Sequence, residues 1–298
     1  MIKLSGDFPA IQELRKENIL LGDEYNSADM QYLKIGVVNL MPVKTRTEAD
    51  ILRLLSNSAL NLDITFISVE SHVSKTTPQE HIDKFYKKFR EVKSEYFDGV
   101  IITGAPVEKL DYEQVDYWEE LCDIFEWSRT NARSTVYICW AAFAGLYHFY
   151  GIPKHLYDSK ISGVFRHWLN EPGNPLFRGF DDEFFVPHSR FSGVLKSHVE
   201  ANSELSILSE AAEIGVYIVE ARGGREVFIT GHSEYAKDTL DFEYRRDLGK
   251  GMNPHVPDNY YRDDDPSKEV VVRWKGHANL LFTNWIHYYV QPNSPYLK

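Results

Sequence analysis

The sequence predicts an α/β protein built on a doubly wound, mostly parallel sheet in a single domain. Through the first half, apolar runs of five to eight residues alternate with amphipathic stretches of ten to fifteen, the pattern of strands joined by crossover helices. Past residue 180 the apolar runs are separated by turns such as Gly223–Gly224, which adds shorter and partly antiparallel strands to the same sheet. The chain has 298 residues, 43% of them hydrophobic, enough for a large core. No repeat, low-complexity tract or linker divides it.

Residues 1–30 read as a polar, irregular N-terminal arm with one short helix near Ile11–Glu17. Leu33–Leu40 (LKIGVVNL) is the first buried strand. Thr47–Ser56 follows as an amphipathic helix with Thr47 as its cap. Leu62–Val69 is the second strand, His81–Val92 the second helix and Gly99–Thr103 the third strand. Val115–Arg129 is helical, and Thr135–Cys139 (TVYIC) is a fourth strand running straight into the helix Ala141–Tyr150. Phe184–His188, Ile214–Val219 and Glu226–Thr230 read as short strands. Residues 251–269 form a turn-rich loop, and Asn279–Val290 closes the chain as an amphipathic helix.

The net charge of −11 argues against nucleic acid or an anionic membrane as partner. No stretch reads as a cleavable signal or a bilayer span, so a soluble cytoplasmic protein is expected. Two cysteines, Cys122 and Cys139, exclude a disulfide scaffold, and no His/Cys/Asp spacing resembles a metal site. No phosphate-binding glycine loop is present.

Cys139 ends an apolar strand where a helix begins. Ligands bind at the carboxyl ends of such strands, and a helix N-terminus favours a thiolate there. A nucleophile and a packed thiol are both open for Cys139. Cys122 shares one helical face with Trp118, Leu121 and Phe125, which reads as packing. His232 and Glu234 lie two apart just past a strand, so they point the same way and the carboxylate can orient the imidazole. His148, His167 and His188 read as packing or supporting groups. Thr103–Pro106 makes a tight turn at the end of the third strand, near Cys139.

Several segments, in order and spanning nearly the whole chain, resemble the homoserine O-acyltransferase family of methionine biosynthesis. They are Asn39–Lys44 (NLMPVK), Thr103–Glu108 (TGAPVE), Asp116–Glu120, Cys139–Trp140 with Leu146–Pro153, Phe180–Ser189, Gly231–Tyr235 (GHSEY), Glu243–Asp247 and Arg273–Trp285. The resemblance implies a class I glutamine-amidotransferase-like, flavodoxin-like fold. It implies Cys139 as the acyl-accepting nucleophile, His232 as general base and Glu234 as its partner. It places Lys160, Ser189 and Arg246 at the substrate, with Arg246 on the substrate carboxylate, and suggests a role for Lys44 without specifying it. The Trp140 backbone N–H, at the helix start, is positioned for an oxyanion. The expected ligands are acetyl-CoA, as substrate rather than cofactor, and a small hydroxy amino acid. No metal or other cofactor is expected, and the resemblance suggests a homodimer.

Glu108 stands where the family carries either an acid or a small neutral residue. An acid there repels the distal carboxylate of succinyl-CoA and selects acetyl-CoA. The sequence departs from the family pattern at Ala141, Phe143, Phe191, Ser233 and Asp50. Phe143 and Phe191 replace polar residues with larger ones, so L-serine competes with L-homoserine as expected acceptor, with homoserine the family default. A glutamine-dependent hydrolase or amidotransferase and a non-catalytic binding protein are the alternatives of other classes.

Overall fold

The computed structural model describes all residues except 5, 6, 22–30, 73, 75, 293, 297 and 298. One sheet organises the fold. Its parallel half is β2 (Leu33–Val38), β3 (Leu62–Ser68), β5 (Phe97–Ile102) and β6 (Ala132–Ile138), with the two-residue β1 (Ile2–Lys3) on the edge beyond β3. The second half is β7 (His155–Leu169), β8 (Glu183–Gly193), β9 (Leu205–Ala211), β10 (Gly215–Ala221) and β11 (Glu226–Ile229). The strand order is β1-β3-β2-β5-β6-β11-β10-β9-β7-β8, with β4 (Tyr86–Lys88) paired to β3. β2 has β3 on one side and β5 on the other. The winding therefore reverses at β2, and the crevice outside the carboxyl ends of β2 and β5 is where such sheets bind ligands.

β2, β5 and β6 are buried nearly throughout, as expected for strands covered on both faces. α2 (Lys44–Leu55) and α9 (Lys275–Trp285) contribute to a core with Ile35, Val37, Ile101 and Val136. α5 (Trp118–Asn131) and α6 (Trp140–Tyr150) contribute to a second with Val38, Val100, Ile102 and Tyr137. The N-terminal stretch is not a loose arm where it is described. Ile2, Phe8, Ile11 and Leu14 of residues 1–21, including α1 (Ala10–Lys16), are buried in the first core; the remainder of the expected arm, 22–30, lies outside the described residues.

Several boundaries differ from the sequence reading. α2 begins at Lys44, three residues before the expected cap at Thr47, because the Lys44 N–H donates to the Thr77 hydroxyl at 3.1 Å. The expected helix 81–92 breaks into α3 (Gln79–Phe85), β4 and α4 (Phe89–Val92), because Tyr86 turns inward to bond Asn39 and Glu48. The helix expected over 279–290 begins earlier, at Lys275, and continues past α9 as one wider turn at Ile286–Val290. β7, β9, α7 (Lys196–Glu200) and α8 (Thr239–Gly249) have no counterpart in the sequence reading. Among the described residues no helix is long and apolar enough to cross a membrane.

Candidate active site

Cys139 sits in the single residue between β6 and α6, with φ 51° and ψ −114°. A non-glycine residue there costs on the order of 1–3 kcal/mol and persists only where its surroundings impose it. They do so here: the Cys139 N–H donates to the Ile229 carbonyl at 2.7 Å, and its own carbonyl accepts from Ala142 and Phe143 as α6 starts. The Trp140 N–H has no hydrogen-bond partner among the described residues, so it is open beside the thiol. Gly104, at the end of β5, faces the same place. A methyl group there would lie 3.3 Å from Cys139 Cβ and 3.6 Å from the Trp140 nitrogen.

His232 reaches this point through strand register. β11 pairs in parallel with β6, Ile229 opposite Ile138, so the residues that follow each strand emerge at one sheet edge. The His232 N–H then donates to Pro187 O of β8 at 2.8 Å. Gly231 permits the close approach, since a Cβ there would meet the buried His188 ring at 2.8 Å.

His232 Nδ1 and Glu234 Oε1 are 2.6 Å apart, and the two side chains are 5% and 9% exposed. Tyr235 stacks on the imidazole at 4.1 Å between ring centroids. Burial opposes the imidazolium, but the charges of Cys139 and Glu234 outweigh it and hold the His232 pKa well above the ordinary imidazole value. With Nδ1 committed to Glu234, Nε2 is the nitrogen left to exchange a proton with the thiol. Glu234 Oε2 is buried and has no hydrogen-bond partner among the described residues.

A cavity of about 460 Å³ joins these groups to Lys160, Ser189, Arg246 and Glu108, and to Asp50 of α2. Every residue assigned to the site from sequence lines it apart from Trp140, whose side chain is fully buried in the second core. The site also contains a group the sequence reading did not single out. Glu243 of α8 accepts from the Ser189 hydroxyl, from Tyr235 at 3.0 Å and from Lys160 at 2.8 Å. Burial opposes its ionisation, but Lys160 and Ser189 hold it below the usual carboxylate range. Arg246, three residues on, bonds Asp247 at 2.8 Å and stays partly exposed. Glu108 is fixed by the Phe191 N–H and by Ser192, while burial raises its pKa. Burial, with a smaller push from Glu234, lifts Asp50 to about 7 against the opposing Arg53.

Phe143 does not reach the crevice. It is fully buried in the second core, whereas Phe191 lines the cavity. Lys44 lines a neighbouring cavity rather than the one that holds Cys139, bonds the Asn39 carbonyl at 2.5 Å and is lowered to about 8 by burial. His167 and His188 stack at 5.1 Å inside the fold, both kept neutral chiefly by burial. Cys122 lies half-buried on α5, where burial pushes its thiol up to about 11. Among the described residues no group of three or more His, Cys, Asp or Glu is arranged to hold a metal ion.

A glutamine amidotransferase from Thermotoga maritima superposes with a TM-score of 0.59 at 10% identity, covering 88% of this chain and 99% of that one. One from Methylobacillus flagellatus gives 0.53 at 10% identity, covering 89% and 98%. The fold is thus that of the class I glutamine amidotransferases. Sequence narrows the class. The profile described as homoserine O-succinyltransferase matches residues 1–296, and the chain belongs to that acyltransferase family. A Parabacteroides distasonis protein named homoserine O-acetyltransferase is 53% identical, covering 100% of this chain and 96% of its own. One of that name from Clostridium acetobutylicum is 51% identical, covering 99% of both chains.

Proposed function

We propose that this chain transfers an acetyl group from acetyl-CoA to the side-chain hydroxyl of L-homoserine through an acyl-cysteine at Cys139. The observation that carries the reading is the convergence of a strained strand-to-helix cysteine and a buried His232–Glu234 pair in one cavity. A nucleophile, a base and a group orienting the base are what covalent acyl transfer requires.

His232 Nε2 holds the proton taken from the Cys139 thiol, and the Sγ thiolate bonds to the thioester carbonyl carbon. The oxyanion is stabilised by the open Trp140 N–H. The intermediate collapses by breaking the bond to the CoA sulfur, which leaves as a thiol with the proton from His232. The homoserine Oδ then gives its proton to His232 and attacks the acetyl carbon. Collapse expels the Cys139 sulfur, which recovers the proton. Glu243 and Arg246 lie three residues apart on one helix and present opposite charges to the cavity, matching the ammonium and carboxylate of an amino acid. Lys160 and Ser189 hold Glu243 in place.

Glu108 supports acetyl over succinyl as the donor's acyl group, since its carboxylate lines the cavity that holds Cys139. The names of the relatives support homoserine as acceptor. The burial of Phe143 leaves Phe191 alone to narrow the pocket, which weakens the case for serine. Methionine biosynthesis is the setting the resemblance implies, and the cytoplasm is the proposed location.

The test follows thiol release from acetyl-CoA and succinyl-CoA with homoserine, serine and glutamine. The reading expects the highest kcat/KM for acetyl-CoA with homoserine. A higher value for serine, for succinyl-CoA or for glutamine turnover overturns it.

A further inference from the structure

Outside the catalytic groups, the same cavity has an outer rim of a different character. Val43, Leu110, Phe242 and Met252 line it and are 45%, 42%, 49% and 57% exposed. They are four of the nine exposed large hydrophobics among the described residues, gathered at one mouth. Such concentration marks a binding surface. Lys109 and Lys250 line the same rim, and neither ammonium makes an ion pair among the described residues. The acids lining the same cavity are held by partners of their own, Glu243 by Lys160, Asp247 by Arg246, Glu234 by His232, Asp50 by Arg53 and Glu108 by the Phe191 N–H, which leaves these two ammoniums to attract an anion. The Phe242 ring, with the Arg46 guanidinium 4.9 Å from its centroid, offers a flat face of the kind purines stack on.

We propose that this rim docks the distal arm of the acyl-CoA donor, with its apolar side chains along the pantetheine, Phe242 against the adenine, and Lys109 and Lys250 on the phosphates. The inference rests on the functional reading above and adds where the donor lies. The arm would enter over the rim with its thioester directed inward to Cys139. The neighbouring cavity of about 530 Å³, shared at Met41, Pro42, Pro106 and Val107, is the competing berth. It contains Lys44 and Lys88, but Cys139 lines the other cavity and not this one, so a donor held here would not present its thioester to the thiol.

The experiment compares acetyl-CoA with acetyl-N-acetylcysteamine, which carries the same thioester without nucleotide or phosphate. The variants are Lys109→Ala/Lys250→Ala, Phe242→Ala and, for the competing cavity, Lys88→Ala. The KM for acetyl-CoA should rise at least about fivefold in the double lysine variant and by a similar factor in Phe242→Ala. The KM for the short thioester and for homoserine should stay at wild-type values in both, which also shows that the variants fold. Raising salt should weaken acetyl-CoA but not the short thioester in wild type. Unchanged KM for acetyl-CoA, equal losses for both thioesters, or the selective loss appearing in Lys88→Ala instead overturns the proposal. Wild type that uses neither thioester refutes the functional reading itself, and the rim assignment with it.

Discussion

Glu234→Gln isolates the part of the site that depends on charge rather than shape. Glu234 Oε1 lies 2.6 Å from His232 Nδ1 with both side chains nearly excluded from water. Two unit charges centred about 4 Å apart interact by about 4 kcal/mol at an effective dielectric near 20. The amide keeps a neutral hydrogen bond worth about 1 kcal/mol. The remaining loss of about 3 kcal/mol corresponds to roughly a 150-fold fall in kcat. Glu234 is also one of the groups that raise His232. In wild type the imidazolium is present below the raised folded pKa and is lost as pH climbs through it. In the variant that loss should occur at lower pH. The assay pairs thiol-release kinetics with the NMR titration of labelled histidine, His232 being assigned by its absence in His232→Gln. A fall in kcat of less than about fivefold, with the His232 titration unmoved, refutes the electrostatic role.

Two further outcomes follow from the cavity. Glu108→Gly should raise kcat/KM for succinyl-CoA relative to acetyl-CoA by at least tenfold, since like charges near 4 Å cost a few kcal/mol; an unchanged ratio of rates with the two donors removes Glu108 from donor selection. Asp50, raised to about 7 chiefly by burial, keeps its proton in the folded state over a range where the unfolded carboxyl, with a pKa of about 3.9, has released it. The native state therefore binds more protons between those values, and stability falls as pH rises through them. Asp50→Asn should be more stable than wild type at pH 8, by up to a few kcal/mol, and lose that advantage near pH 4. Urea midpoints that shift equally at both pH values contradict this.

Much of the site was legible because it is local. The TVYIC run into a helix marks Cys139 as the residue at a strand-to-helix turn, and the spacing of His232 and Glu234 puts both on one side of an extended segment. Their meeting is not local: it depends on β11 pairing in parallel with β6, a contact between residues some ninety apart that no periodicity announces. Asp50 stands out in the sequence only as a departure from the family pattern, and nothing local announces that the packing of α2 buries it beside Arg53. Phe143 sits one turn past Cys139, but the first turn of α6 carries its ring into the core rather than the crevice. β7 went unread because HLYDSKISGVFRHWL has neither an apolar run nor clean alternation. Its outer half is mostly exposed, and its pairing along β8 forms it. α8 has only Leu240 and Phe242 as large aliphatic or phenyl side chains in its first two turns and none of the spacing of an amphipathic stripe. Its polar face is functional: Glu243 and Arg246 point into the cavity.

The central claim is that Cys139 carries the acyl group between the two substrates. Mixing the protein with acetyl-CoA alone and measuring intact mass, then mapping the adduct by peptide sequencing, tests it most directly. The account predicts an added acetyl group on Cys139, absent from Cys139→Ala, present in Cys122→Ala and discharged on adding homoserine. A protein that turns over both substrates yet shows no adduct at Cys139, with kinetics requiring both substrates bound at once, contradicts it.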